Sequence, residues 1–311
     1  MKRCFLYPGQ GAQYPGMGKD LWEGSDKVRE IFSVAAAQTG KNLAELLFEG
    51  TEEELKETEN TQIAVTLANI AALTYLGQAG IESSGCAGFS LGEYSALFDA
   101  GIIGIEDIFS VAQKRGEIMA SASKILGDAG GKPGMAAVLG LDIEDAAPVI
   151  ESLKSEQVFL ANHSSPTQIV IAGTASGLER ADALFEEAGA MRYVILKVSG
   201  PFHSPLMAEA RDELESYLES VRFSDPRKPV FANVTGEQIQ SAEEAKRLCV
   251  KQVVFPVQWV RTEKNLIAFD YEQYLEVGPG RVLAGLWKSF TKQIRCMPAG
   301  TLESIQGLEI S

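Results

Sequence analysis

Apolar and polar positions along this chain switch repeatedly between two periods. Arg3 to Tyr7 is a short apolar run stopped by Pro8-Gly9, and Ala87 to Phe89 is another, ended by a serine between glycines. Both read as buried strands. Helical periodicity follows each of them, over Val28 to Ala37, Asn60 to Gly77, Leu91 to Ala100 and Ile105 to Ala122. Strands alternating with helices predict an α/β layer fold on a mainly parallel sheet.

The pattern changes after Gly127 to Gly134, the most glycine-dense stretch and a natural boundary. Beyond it the chain reads as strand (Met135 to Gly140), helix (Asp145 to Leu153), strand (Gln157 to Ala161), strand (Gln168 to Ala172), helix (Ser176 to Ala188) and strand (Arg192 to Leu196). That is βαββαβ, the ferredoxin-like order, with Ser164-Ser165-Pro166-Thr167 as the central hairpin turn. After Gly200-Pro201 long helices return, over Pro205 to Val221, Ala242 to Val250 and Pro256 to Ile267. A late strand, Tyr274 to Val277, ends at Gly278-Pro279-Gly280. The expectation is a large α/β lobe from residues 1–127 and 198–311, interrupted by a small lobe over 128–197. A cleft between two such lobes is a common place for a ligand.

Composition narrows the class. The 311 residues are 45% hydrophobic and 23% charged, which excludes disordered and fibrous chains. A net charge of −14 repels nucleic acid and anionic membrane, so neither is expected as a partner. Asn60 to Ile81 is uncharged and about the length of a membrane span. Gln62, Thr66, Asn69, Thr74 and Gln78 interrupt it, so it reads as a buried helix. The four cysteines, Cys4, Cys86, Cys249 and Cys296, show no CxxC spacing and read as mostly buried cytosolic thiols. The apolar run after the basic start is too short for a signal peptide, which adds to the expectation of a cytoplasmic protein.

Gly88-Phe89-Ser90-Leu91-Gly92 fits G-x-S-x-G, in which a serine rides a strained strand-to-helix turn that only small neighbours permit. Such a turn exposes the hydroxyl and aims the free N–H groups of the helix at it. The alternative is a plain β-turn serine. A nucleophile needs a base, and the chain has two histidines, His163 and His203. His163 is placed at the small-lobe hairpin and reads as a turn residue. His203, where the chain re-enters the large lobe, is the better base, a structural histidine being the other reading. No histidine follows it, which departs from the usual hydrolase order of serine, acid, histidine.

Taken together, Tyr7-Pro8-Gly9-Gln10-Gly11-Ala12-Gln13, the segment Gly88 to Leu97, Gln113-Lys114-Arg115-Gly116 and Gly134 to Val138 resemble the malonyl-CoA:acyl carrier protein transacylase family. So do Ser165 to Gly173, Pro201-Phe202-His203-Ser204, Pro256-Val257-Gln258-Trp259 and Glu276 to Gly280. The resemblance covers nearly the whole chain. It implies a hydrolase-like α/β domain with a ferredoxin-like insertion. It implies that Ser90 takes the malonyl group as an ester, that His203 is its base, and that backbone N–H groups of Gln10 and Leu91 hold the oxyanion.

Gln252 falls where relatives orient the histidine through a backbone carbonyl. Arg115 matches the arginine that pairs with the free carboxylate of malonyl; from its neighbours Lys114 and Glu117 alone it would read as a solvated helix residue. Asn162 falls at a polar pocket position. Phe202 resembles the turn that disfavours an α-methyl branch. The implied partners are malonyl-CoA and acyl carrier protein, in fatty acid biosynthesis, with no metal and no cofactor beyond the carrier's own phosphopantetheine. Alternatives are an acyltransferase or acyl hydrolase of a polyketide pathway, and an inactive scaffold.

Phe89 departs from the family, where histidine usually precedes the nucleophile. Glu93 reads as a first-turn acid favoured by the helix dipole. Because carrier proteins are acidic, basic side chains are expected near the cleft mouth, with Lys114, Lys124, Lys132, Arg192 and Lys197 as members.

Overall fold

The computed structural model describes residues 1–308. The strands among them are β1 (Arg3–Tyr7), β2 (Gly85–Gly88), β3 (Gly134–Leu139), β4 (Val158–Ser165), β5 (Gln168–Gly173), β6 (Arg192–Ile195), β7 (Val230–Phe231), β8 (Gln273–Glu276) and β9 (Cys296–Pro298). They form two sheets. The larger has the order β7-β2-β1-β8-β9, with every neighbouring pair parallel. β1 lies at its centre with Cys4, Phe5, Leu6 and Tyr7 fully buried, as expected for a parallel strand covered on both faces.

The smaller sheet is antiparallel, in the order β4-β5-β3-β6. Helices Ile143–Ser152 and Ala175–Glu187 complete the βαββαβ unit. Its own core joins Val138, Ile169, Ile171, Leu178 and Phe185. The expected α/β class with a ferredoxin-like unit is therefore the observed one.

Helix Thr58–Gln78 is buried almost all round, which explains its missing polar face. No helix of the described residues is long and apolar enough to cross a membrane. Its polar residues bond inward: Asn69 Nδ2 donates to Pro8 O at 3.0 Å and to Ser95 Oγ at 3.1 Å, tying this helix to the loop after β1.

Several expectations are corrected. β4 runs on to Ser165, so Asn162 and His163 lie in a strand rather than a turn. Two hydrogen bonds hold it there, His163 N–H to Val257 O and Val257 N–H to Ala161 O, both 2.9 Å. This Asn162–Val257 bridge occupies the residues that would have begun a helix at Pro256, so that helix starts at Trp259. The helix expected from Pro205 opens with a 3₁₀ turn, Pro205–Met207, before Ala208–Leu218. Helix Ile108–Gly130 passes well beyond Ala122. The helix Val282–Phe290 and strands β7 and β9 were not foreseen.

Candidate active site

The chain leaves β2 at Gly88 and enters helix Gly92–Asp99 four residues later, with Ser90 at φ 52°. A positive φ strains a residue that carries a Cβ, and such strain persists only where the surroundings impose it. Here they do. A Cβ on Gly88 would lie 2.0 Å from the Gly92 carbonyl, and one on Gly92 2.0 Å from Tyr7 O. Asn233, just after β7, grips the turn from below: its Oδ1 accepts the Ser90 N–H at 2.6 Å, and its Nδ2 donates to Gly88 O at 2.6 Å.

His203 arrives from the other direction. The chain returns from β6 through Gly200-Pro201 and turns at His203, whose φ is 57°. Its Nε2 lies 2.7 Å from Ser90 Oγ, and its Nδ1 lies 2.8 Å from Gln252 O. The carbonyl can only accept, so Nδ1 carries the proton and Nε2 is free to receive one from the serine. Burial, and secondly the charge of Arg115, push the imidazole down to about 4. It is thus a neutral base throughout the physiological range.

Arg115 is not a solvated helix residue. It is 1% exposed, on helix Ile108–Gly130, with Nη1 donating to Gln62 Oε1 and Nη2 donating to Gln252 Oε1 at 2.9 Å. Neighbouring Gly116 allows the approach of the two helices, since a Cβ there would lie 3.0 Å from Gln62 Cβ. Tyr94 lies beneath the guanidinium at 5.2 Å. No carboxylate is within ion-pair distance of Arg115 among the described residues, and its Nε has no partner. A buried cation held by neutral amides alone is prepared to receive an anion.

Gln252 therefore touches the whole constellation: His203 through its carbonyl, Arg115 through Oε1, and Ser90 O and Glu93 Oε2 through Nε2. Glu93 is the first-turn acid of helix Gly92–Asp99 that the sequence predicts, and it is buried. It is 1% exposed, accepts also from Asn233 N–H at 3.3 Å, and is raised to about 7 by burial. The Gln10 and Leu91 N–H groups donate to nothing among the described residues. Their loops are pressed together, for a Cβ on Gly9 would lie 2.4 Å from Phe89 O and 3.4 Å from Leu91 N.

Asn162 is 8% exposed with Oδ1 unpartnered, and Phe202 belongs to the main core at 5% exposure. Phe89 packs edge-on against Trp259, 5.3 Å between rings, in a cluster below the sheet. A cleft of about 530 Å³ opens beside His203, lined by Phe159 and Leu160 of β4 and by Pro205, Val254 and Phe255. No group of three or more His, Cys, Asp or Glu among the described residues could hold a metal.

The sequence reading missed Gln62 and Asn233 as site residues, and the burial of Glu93 with its contact to Gln252. Gln62 had a signal, being one of the few polar side chains in the long apolar run of helix Thr58–Gln78; Asn233 follows a strand too short to register.

Residues 4–303 match the acyl transferase domain family. The chain belongs to that family. It is 38% identical over 307 residues to the malonyl CoA-acyl carrier protein transacylase of Bacillus subtilis, covering 98% of this chain and 95% of that one. It is 35% identical over 308 residues to the enzyme of the same description from Staphylococcus aureus, covering 98% of each. Among solved structures, an acyl carrier protein S-malonyltransferase from Vibrio cholerae superposes with a TM-score of 0.94 at 35% identity, over 99% of this chain and 100% of that one. A malonyl-transacylase in complex with a type II polyketide acyl carrier protein also gives 0.94 at 35% identity, covering 100% of both chains.

Proposed function

We propose that this chain transfers malonyl from malonyl-CoA to the phosphopantetheine thiol of an acyl carrier protein, by way of a malonyl ester on Ser90, in cytoplasmic fatty acid biosynthesis. The observation that carries the reading is the buried Arg115, free of any carboxylate and joined through one glutamine to a serine–histidine pair. Ser90 Oγ gives its proton to His203 Nε2 and attacks the thioester carbonyl. The Gln10 and Leu91 N–H groups receive the oxyanion, as preorganised donors worth a large share of such rate enhancements. Collapse breaks the C–S bond, and the CoA thiolate takes the proton back from Nε2. The carrier thiol then repeats the sequence in reverse, and Ser90 recovers its proton.

In this reading the guanidinium grips the malonyl carboxylate, a charge-assisted contact worth about 1.5 to 3 kcal/mol. An acetyl group would leave the cation without its partner. The ring of Phe202 disfavours a methyl branch, and Asn162 adds a polar group to the pocket wall. The lobes' cleft beside His203 suits the thioester arm. Because Gln252 presents a neutral carbonyl rather than an aspartate, its help to the imidazolium is mild and reversible, as an enzyme that must pass the acyl group on requires.

Intact-protein mass spectrometry after mixing with malonyl-, methylmalonyl- and acetyl-CoA tests this. One malonyl adduct per chain is expected, with little of the other two, and none on Ser90→Ala. Labelling retained by Ser90→Ala, or equal labelling by acetyl, would overturn the reading. Release of free malonate without carrier protein would favour a hydrolase.

A further inference from the structure

We infer that Glu93 is a positioning residue for substrate selectivity: it holds the side-chain amide of Gln252 in the orientation that turns Oε1 toward Arg115, and so keeps the guanidinium set for a carboxylate. The inference rests on the role proposed for Arg115 and deepens it.

A glutamine amide can be turned over, exchanging donor for acceptor. As placed, Gln252 Nε2 donates to Glu93 Oε2 and, at 3.0 Å, to Ser90 O, while Oε1 accepts from Arg115 Nη2 at 2.9 Å. Turned over, it would set NH₂ against the guanidinium, donor against donor, and Oε1 against the carboxylate, acceptor against acceptor. An ionised carboxylate cannot donate, so Glu93 opposes the second arrangement, together with Arg115, which can only donate, and Ser90 O, which can only accept. A protonated carboxyl or a glutamine at 93 could donate to Oε1, leaving only Arg115 and Ser90 O to oppose the second arrangement, and the lock would loosen.

The placement of Glu93 makes the lock specific. It sits in the first turn of helix Gly92–Asp99, three residues after the nucleophile, and is fixed on its other oxygen by Asn233 N–H. The groups that face it are Tyr94 on its own helix, Arg115 on helix Ile108–Gly130, and Cys249 with Gln252 on helix Ala242–Gln252. Of these only Arg115 is charged at neutral pH. The amide of Gln252 thus lies between a buried cation and a buried anion, its dipole aligned with both. Burial also raises Glu93 to about 7, so protonation loosens the lock within an accessible pH range.

The test compares acylation of Ser90 by malonyl-CoA and acetyl-CoA, in the full chain and in Glu93→Gln. Acetyl carries no carboxylate, so the ratio of the two cancels effects on the serine and histidine. In Glu93→Gln the malonyl KM is expected to rise by roughly ten- to a hundredfold, the scale of a small misplacement, with acetyl acylation changed far less. Glu93→Asp, which keeps the charge, should recover part of the ratio. In the unaltered protein the malonyl KM should rise as pH falls from about 8 to about 6 while acetyl acylation stays level, and Glu93→Gln should lose that dependence.

An unchanged ratio in Glu93→Gln, or equal losses for both substrates, overturns the inference. If that variant does not fold, a pH-independent ratio in the unaltered protein overturns it alone. An unaltered protein that accepts no malonyl at any pH would instead overturn the proposed function itself.

Discussion

A backbone carbonyl accepts hydrogen bonds and never donates them, and at Gln252 that simple asymmetry decides which nitrogen of His203 carries the proton and which faces Ser90 Oγ. Burial decides when that nitrogen is free. With the imidazole held down to about 4, acetyl acylation, which does not involve Arg115, should stay level as pH is lowered to about 5 and fall as pH drops through 4. Stopped-flow release of CoA checks this, and a midpoint near the ordinary 6.5 would show the ring to be solvated. The same shift acts on stability. Below 6.5 an unfolded histidine takes up a proton that the buried one refuses until about 4, so the native state loses stability as pH falls through that window. Arg115 is tested separately. Arg115→Ala should lower the malonyl-to-acetyl ratio of kcat/KM by on the order of 10², the discrimination available when a buried polar group loses its partner. Arg115→Lys should recover little of it, since an ammonium cannot reproduce a planar fork. Competition assays with both thioesters would read the ratio directly.

At the scale of elements, the turn that raises Ser90 depends on two places where no side chain fits. Gly88→Ala or Gly92→Ala must displace backbone that lies 2.0 Å from the new methyl, not a flexible side chain. Either should cost about 2 to 4 kcal/mol and abolish acylation even where the variant folds. Thermal melts with the adduct assay would check both, and full acylation by Gly88→Ala would mean the turn is far looser than its packing. Much of this element was legible in the sequence, because the strand, the glycines and the helix each leave a local pattern. β1 was legible for the same reason, every residue from Cys4 to Tyr7 being buried between parallel neighbours. β7 and β9 were not, since two or three residues carry no period. The end of β4 was misread because Val257, nearly a hundred residues away, supplies its partner there. Ser90, His203 and Arg115 could be named from motif and resemblance, but the charge state and burial of Glu93 could not. A glutamate in a first helical turn looks the same in sequence whether it faces water or a buried arginine.

Across the whole molecule, a net charge of −14 opposes the approach of an acidic carrier, so the encounter must rely on local cations. The structure divides the five expected from sequence. Lys114 is bound to Glu213 at 3.1 Å and offers no free positive charge, whereas Arg192, exposed at the start of β6, has no ion-pair partner among the described residues. Lys124, Lys132 and Lys197 are likewise exposed and without an ion-pair partner among the described residues. These lysines mark the two crossings between the sheets. Lys124 and Lys132 stand on the way from helix Ile108–Gly130 into β3, and Lys197 follows β6, which pairs antiparallel with β3. The way out leads directly to His203. Charge reversal of all three lysines to glutamate should raise the carrier-protein KM by about tenfold at low ionic strength, the scale of electrostatic steering. The difference should shrink as salt is raised, because exposed charges are screened beyond a Debye length of about 10 Å at 0.1 M. Malonyl loading of Ser90 provides the control: a KM for carrier that does not move, with loading intact, would place the docking surface elsewhere on the molecule.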